Sequence, residues 1–106
     1  MSINENVFRA TLITRGRITE KPHSVILRGV KYHDRIYFSR HRPDSDWFKN
    51  IIINSEVKIK YKELSYEGIA KKVTDEKLNQ KISQMKYPGE KRADETRVAI
   101  EITLRE

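Results

Sequence analysis

Residues 56–62 read EVKIKYK, with an apolar side chain at every second position and lysines between them. A period of two residues places the apolar side chains on one face of a strand and the lysines on the other. The stretch therefore predicts a half-buried strand. After a turn at 63–65, residues 66–73 read YEGIAKKV and predict a second strand. These two strands are predicted to form a hairpin.

Three more strands are predicted upstream, over 7–14, 24–31 and 35–39, from runs rich in strand-forming residues. A short turn at 32–34 joins the last two, so we expect the three strands to form a meander. Gly29 lies inside the second run and indicates either a bulge or a close approach of two backbones.

Two helices are predicted between and after these strands. The first begins near Asp44 or Ser45, both good N-cap residues. The second is capped by Thr74 and ends at 87–89, Tyr-Pro-Gly. Each carries an apolar stripe at helical spacing. The stripes are Trp47, Phe48, Ile51 and Ile52 in the first helix, and Leu78, Ile82 and Met85 in the second.

A final strand over 97–104 again alternates apolar and other residues. The element order is then β-β-β-α-β-β-α-β, mainly β and α+β by content. Six short strands joined mostly by hairpins predict a six-stranded antiparallel split or closed β-barrel with two short flanking helices. A length of 106 residues fits one domain over 1–106.

The composition restricts the chemistry. The chain has no cysteine, which excludes disulfides, thiolate metal sites and cysteine nucleophiles. It has no apolar run long enough for a membrane span and no signal-peptide core, so we expect a cytoplasmic protein. The net charge is +7, concentrated between Arg15 and Arg42. Such an excess attracts phosphates, nucleic acid or an acidic partner, although a solvated surface explains it equally well.

Catalytic motifs of the common kinds are missing from the sequence. The three histidines lack metal-ligand spacing, so no metal site is predicted. There is no G-x-S-x-G elbow, no P-loop and no G-x-G-x-x-G. Catalytic residues are therefore unknown at this point.

Two basic stretches are candidates for anion binding. Residues 14–23, TRGRITEKPH, form a glycine turn between two strands, and a positive φ at Gly16 can aim backbone N–H groups at an anion. Residues 39–50, SRHRPDSDWFKN, place a basic loop before a helix N-terminus, which also favours anions. Trp47 either packs in the core or forms a stacking wall beside an aromatic ligand.

In this order, the two stretches resemble the deazaflavin-dependent nitroreductase branch of the split-barrel proteins related to pyridoxamine-phosphate oxidases and flavin reductases. Members read T-x-G-R-[KR]-[ST]-G-x-P-R where this chain has 14–23. They then read W-[YFH]-x-N-[LI]-x-x-N-P-x-V where this chain has 47–57, with Ser55 in place of proline. A Tyr-Pro element at 87–88 and the last strand complete the match, which covers roughly residues 10–104.

The resemblance implies a split barrel, usually a homodimer with the cofactor near the interface. It implies FMN or the deazaflavin coenzyme F-420 as cofactor and an enzyme that transfers hydride between this cofactor and an unidentified small-molecule substrate. The chain departs from the family pattern at Ile18, Glu20 and His23, where members have a basic residue, glycine and arginine. The cofactor-binding residues suggested by the match and its surrounding cations are Gly16, Arg17, Thr19, Lys21, His23, Ser39, Arg40, Arg42 and Trp47.

Two alternatives remain open at the sequence level. The chain could be a basic nucleic-acid-binding barrel whose surface tyrosines stack on bases. It could also be a degenerate split barrel that has lost its cofactor, which the altered turn at 18–20 favours. The tyrosines in question are Tyr32, Tyr37, Tyr61 and Tyr66.

Overall fold

The computed structural model describes residue 3 and residues 5–40, 45–91 and 97–105. Within them the chain forms strands and helices in the predicted order. The elements are β1 (Val7–Arg15), β2 (Pro22–Tyr32), β3 (Arg35–Arg40), α1 (Asp46–Ile53), β4 (Glu56–Tyr61), β5 (Leu64–Lys72), α2 (Glu76–Lys86) and β6 (Val98–Leu104).

The strands close into a barrel in the order β1-β2-β3-β6-β5-β4, and every neighbouring pair is antiparallel. The first three strands form the predicted meander, and β4 and β5 form the predicted hairpin. Closure gives each strand two neighbours, although β2 pairs with β3 only over residues 30–32 and β1 pairs with β4 only over residues 11–13. The expected six-stranded antiparallel barrel with two helices is confirmed.

Apolar side chains at alternate positions of the strands fill the interior of the barrel. β4 shows it most plainly, with Val57, Ile59 and Tyr61 inside and the intervening residues exposed. Helix α1 contributes apolar side chains to this interior, and α2 packs outside on β2, β3 and β6, over a second small cluster. The main cluster includes Phe8, Leu12, Ile36, Phe38, Trp47, Phe48, Ile51, Ile100 and Ile102; the second includes Val30, Tyr37, Val73, Ile82 and Ala99.

Several local boundaries differ from the prediction. The β4–β5 turn consists of residues 62–63 rather than 63–65, because Lys62 adopts a φ of 56° and lets Tyr61 pair directly with Leu64. The predicted cap of α2 is also wrong. Asp75, not Thr74, accepts hydrogen bonds from the backbone N–H groups of the first turn, 2.9 Å from Lys77 N.

Gly29 marks a close approach and not a bulge. It pairs with Phe8 in an uninterrupted β1–β2 register. A Cβ atom at this position would lie 2.7 Å from the Phe8 ring and 2.9 Å from the ring of Phe38. Two phenylalanine rings thus occupy the space that a side chain at 29 would need.

No helix in the described part of the chain is both long and apolar enough to cross a membrane.

Candidate functional site

The β1–β2 turn, residues 16–21, is closed by its own backbone. Gly16 N donates to Lys21 O over 2.8 Å, and Glu20 N donates to Gly16 O over 2.9 Å. The expected positive φ at Gly16 is wrong, since the left-handed residue of this turn is Glu20, at φ 60°. Gly16 is required for space instead, because a Cβ there would lie 2.8 Å from Thr19 Oγ1.

Helix α1 holds this turn through a buried amide. Asn50 Oδ1 accepts from Arg17 N (3.1 Å) and from Arg17 Nη1 (2.9 Å), while Asn50 Nδ2 donates to Thr14 Oγ1 (3.1 Å). Asn50 is only 2% exposed. Arg17 Nη2 also lies 3.3 Å from Asp46 Oδ1, in the first turn of α1. The structure therefore joins the two basic stretches at one end of the barrel.

Asn50 was not singled out as a site residue from the sequence. It belongs to the W-x-x-N part of the second stretch, and a polar residue on the buried side of a predicted helix is the signal that could have found it. A buried amide requires partners, but the sequence does not show that these partners are Arg17 and Thr14.

The other polar residues of the turn are more accessible. Lys21 and Thr19 are exposed, and Thr19 Oγ1 accepts from Lys21 N over 3.3 Å. His23 is half-buried in β2, opposite Thr14. Arg15, at the end of β1, is exposed. The turn thus presents cations to solvent on a backbone that is fixed by α1.

Ser39 and Trp47 lie away from this exposed turn. Ser39 O accepts from Lys86 Nζ (3.1 Å) at the end of α2, and its buried Oγ has no hydrogen-bond partner among the described residues. Trp47 is 3% exposed and packs edge-on against Phe48 in the core. For Arg40 the backbone of β3 is described but not the side chain, and Arg42, with His41 and Asp44, lies outside the described residues.

A groove of about 570 Å³ lies beside the turn on the outer surface of β1 and β4. Its walls carry both signs of charge, and two pairs are in contact: Lys58 with Glu67 at 3.8 Å, and Arg105 with Glu56 at 3.4 Å. The size is that of a small-molecule site. The groove depends on how β1 pairs with β4, which no local pattern in the sequence indicates. Its lining includes Ile13, Arg15, Glu20, Pro22, Ser24 and Lys60.

The expected surface tyrosines are wrong for Tyr37 and Tyr61, which are buried, and Tyr32 and Tyr66 are half-buried. Tyr37 donates to Glu101 Oε2 over 3.0 Å; burial, and then this hydrogen bond, raises the pKa of Tyr37 to about 12. The hydrogen bond from Tyr61 to Glu5 raises the pKa of that phenol as well. Two of the four tyrosine rings are therefore buried and cannot stack on nucleic-acid bases.

No group of three or more histidine, aspartate or glutamate side chains in the described ranges is arranged to hold a metal ion.

Comparison with known proteins finds the same fold in solved structures. A conserved hypothetical protein from Mycobacterium tuberculosis has 19% identity and a TM-score of 0.74, over 92% of this chain and 73% of that one. A pyridoxamine 5'-phosphate oxidase-like protein from Listeria innocua has 17% identity and a TM-score of 0.69, over 96% and 86%. An F-420-H2-dependent reductase has 16% identity and a TM-score of 0.70, over 90% and 93%.

No family profile and no curated protein matches the chain. The structural likeness establishes the fold, which is the split barrel seen in pyridoxamine 5'-phosphate oxidase-like proteins and F-420-dependent reductases. The resemblance noted in the sequence is confirmed at this level.

Proposed function

We propose that this protein binds a flavin or deazaflavin cofactor and acts as a small oxidoreductase that transfers hydride between this cofactor and a small substrate. The observation that carries the proposal is the cationic β1–β2 turn held on α1, in a fold shared with an F-420-H2-dependent reductase. FMN and coenzyme F-420 both carry phosphate, and arginine and lysine are the side chains that bind it.

The residues present fit an anionic cofactor. Arg17 and Lys21 of the turn and His23 at the start of β2 would hold the anionic part, together with Arg40 and Arg42. Gly16 and Thr19 keep the turn tight through the backbone hydrogen bonds of Gly16 to Glu20 and Lys21 and through the hydrogen bond that Thr19 Oγ1 accepts from Lys21 N.

When bound, the cofactor supplies the hydride chemistry. The groove has room for part of a ring system, and its floor includes Ile13. Trp47, packed in the core, supports α1 under the turn and does not form a wall of the groove. The role of the chain in this proposal is therefore to bind and orient, and no side chain is assigned to proton transfer.

A homodimer is part of the proposal. Helix α2 packs on the outer face of β2, β3 and β6 and buries Val30, whereas Ile26, on the same face of β2, is left exposed. Ile26 is 66% exposed, and the groove opens on the same side of the sheet. A second copy seated there would cover the isoleucine and close the groove.

The first test is spectroscopic. We expect the purified protein to carry a chromophore, or to bind FMN or coenzyme F-420 saturably, with quenching of the single tryptophan, Trp47. Exchanging Arg17 and Arg40 together for alanine should weaken this binding about tenfold or more, because two cations leave the anion site.

A matched control is the exchange of Lys71 and Lys77 for alanine, which removes two exposed cations on β5 and α2 that lie outside the groove. Absence of any chromophore and of saturable binding contradicts the proposal and favours the cofactor-less barrel. If the Arg17/Arg40 and Lys71/Lys77 double variants bind the cofactor equally well, the assignment of Arg17 and Arg40 to the anion site is wrong, but cofactor binding itself is not contradicted.

A further inference from the structure

Arg17 is held by the buried side-chain amide of Asn50. Its backbone N–H and its Nη1 both donate to Asn50 Oδ1, and Asn50 Nδ2 donates to Thr14 Oγ1. Asn50 and Thr14 are 2% and 1% exposed. Asn50 can therefore act on a ligand only through Arg17, by fixing where the guanidinium group stands.

The carboxylate that contacts this guanidinium group, in contrast, is exposed to solvent. Asp46 Oδ1 lies 3.3 Å from Arg17 Nη2, and the Asp46 side chain is 68% exposed. Within the described residues Arg17 is paired with no other carboxylate. An exposed ion pair of this kind contributes little. A phosphate that makes two charge-assisted hydrogen bonds to the same group is a stronger partner.

Two residues of helix α1 therefore contact the same arginine: Asn50, which is buried and fixes its position, and Asp46, which is exposed and carries a negative charge. We propose that Asn50 presets the Arg17 guanidinium for a phosphate group and that Asp46 is the internal anion which this phosphate displaces. The affinity of the turn for phosphate is then set by α1. This inference rests on the proposed function only in placing an anion at the turn.

Charge-changing variants of α1 separate these roles. In Asp46→Asn the competing charge is lost and the shape is kept, so pyrophosphate should bind about two- to fivefold more tightly, the range that an exposed ion pair supports. Asn50→Asp keeps the oxygen that accepts from Arg17 and adds a charge beside it. It should fold but bind pyrophosphate about tenfold more weakly.

The matched control is Glu76→Gln. Glu76 is an exposed acidic residue in the first turn of α2, so this variant changes the net charge as Asp46→Asn does, at the equivalent place of the other helix. We expect its affinity to equal that of the wild type. The gain in pyrophosphate affinity from Asp46→Asn should also vanish when Arg17 is replaced by glutamine, because the effects of substitutions at two interacting residues are not additive.

Isothermal titration calorimetry with pyrophosphate at low ionic strength measures all of these affinities on the full chain. The near-ultraviolet circular dichroism of Trp47, which lies in α1, checks that each variant is folded. The inference is overturned if pyrophosphate does not bind, if Asp46→Asn binds no tighter than Glu76→Gln, or if its gain persists without Arg17.

Parallel titrations with FMN and coenzyme F-420 distinguish a failure of this inference from a failure of the proposed function. If neither cofactor binds but the pyrophosphate affinities change as expected, the proposed function fails alone. If a cofactor binds and its affinity is insensitive to Asp46 and Asn50, the inference fails alone.

Discussion

Glu20 occupies a backbone conformation that suits glycine. Its φ of 60° costs a residue with a side chain about 1–2 kcal/mol, whereas glycine adopts it freely at a cost of about 0.5–1 kcal/mol in chain entropy. We therefore expect Glu20→Gly to be more stable than Glu20→Ala by about 0.5–1 kcal/mol. Both variants lose the same carboxylate, so only the backbone differs. Urea unfolding measures the difference, and equal midpoints would contradict this account of the turn.

Tyr37 makes stability sensitive to alkaline pH. Burial, followed by the hydrogen bond to Glu101, raises its pKa from 10.0 to about 12. The resulting stabilisation is complete below pH 10, where the phenol is neutral in both states. Between pH 10 and 12 the unfolded chain loses the proton first, so the stabilisation falls and is lost as the pH rises through the folded pKa.

Comparison with Tyr37→Phe tests this assignment, because phenylalanine has no proton to lose. The wild type should lose more unfolding free energy than the variant over this pH range. Chemical denaturation at several pH values measures both, and lysine deprotonation affects the two proteins alike. A difference between them that stays constant from pH 10 to 12 rules out the assignment.

At the scale of an element, the start of α2 depends on one cap. Asp75 Oδ1 accepts from Lys77 N and Leu78 N, whereas no side-chain hydrogen bond of Thr74 is found among the described residues. Asp75→Ala should therefore destabilise the protein by about 1 kcal/mol, and Thr74→Ala by less than about 0.5 kcal/mol. Thermal unfolding of the two variants decides between the caps, and a larger effect at Thr74 would restore the cap predicted from the sequence.

The elements show which features a sequence can reveal. The alternation in β4 and the apolar stripes of both helices follow from local periodicity, so the element order is predictable, although Ile52 of the predicted α1 stripe is 55% exposed and Asn50 is buried in its place. The N-cap of α2 is Asp75 and not Thr74, and the β4–β5 turn begins at Lys62 and not at residue 63. Each prediction is off by one residue because neighbouring residues have similar propensities for capping a helix or starting a turn. The helix-to-turn contact between Asn50 and Arg17 spans 33 positions and carries no local signal.

The closed barrel explains why the predicted site residues divide as they do. Residues of the β1–β2 turn meet α1 through Arg17, Asp46 and Asn50. Ser39 lies on the outside of β3 next to α2, and Trp47 points into the core. Spacing along the chain could suggest that these residues belong to one motif. Only strand pairing determines which of them share a surface, and the groove between β1 and β4 arises in the same way.

For the whole molecule, the exposed sheet surface around Ile26 predicts a dimer. Ile26 pairs with Thr11 on β1 and lies on the same outer face of β2 as Val30, but it is 66% exposed whereas Val30 is covered by α2. We expect a mass of about 25 kDa by light scattering at micromolar concentration, twice the 12.6 kDa of the chain. Ile26→Asp should give the monomer, because a buried unpaired carboxylate opposes association. Ile53→Asp is the control, since Ile53 is 71% exposed at the end of α1 and does not line the groove. A monomeric wild type, or a dimer that survives Ile26→Asp but not Ile53→Asp, would place the contact elsewhere.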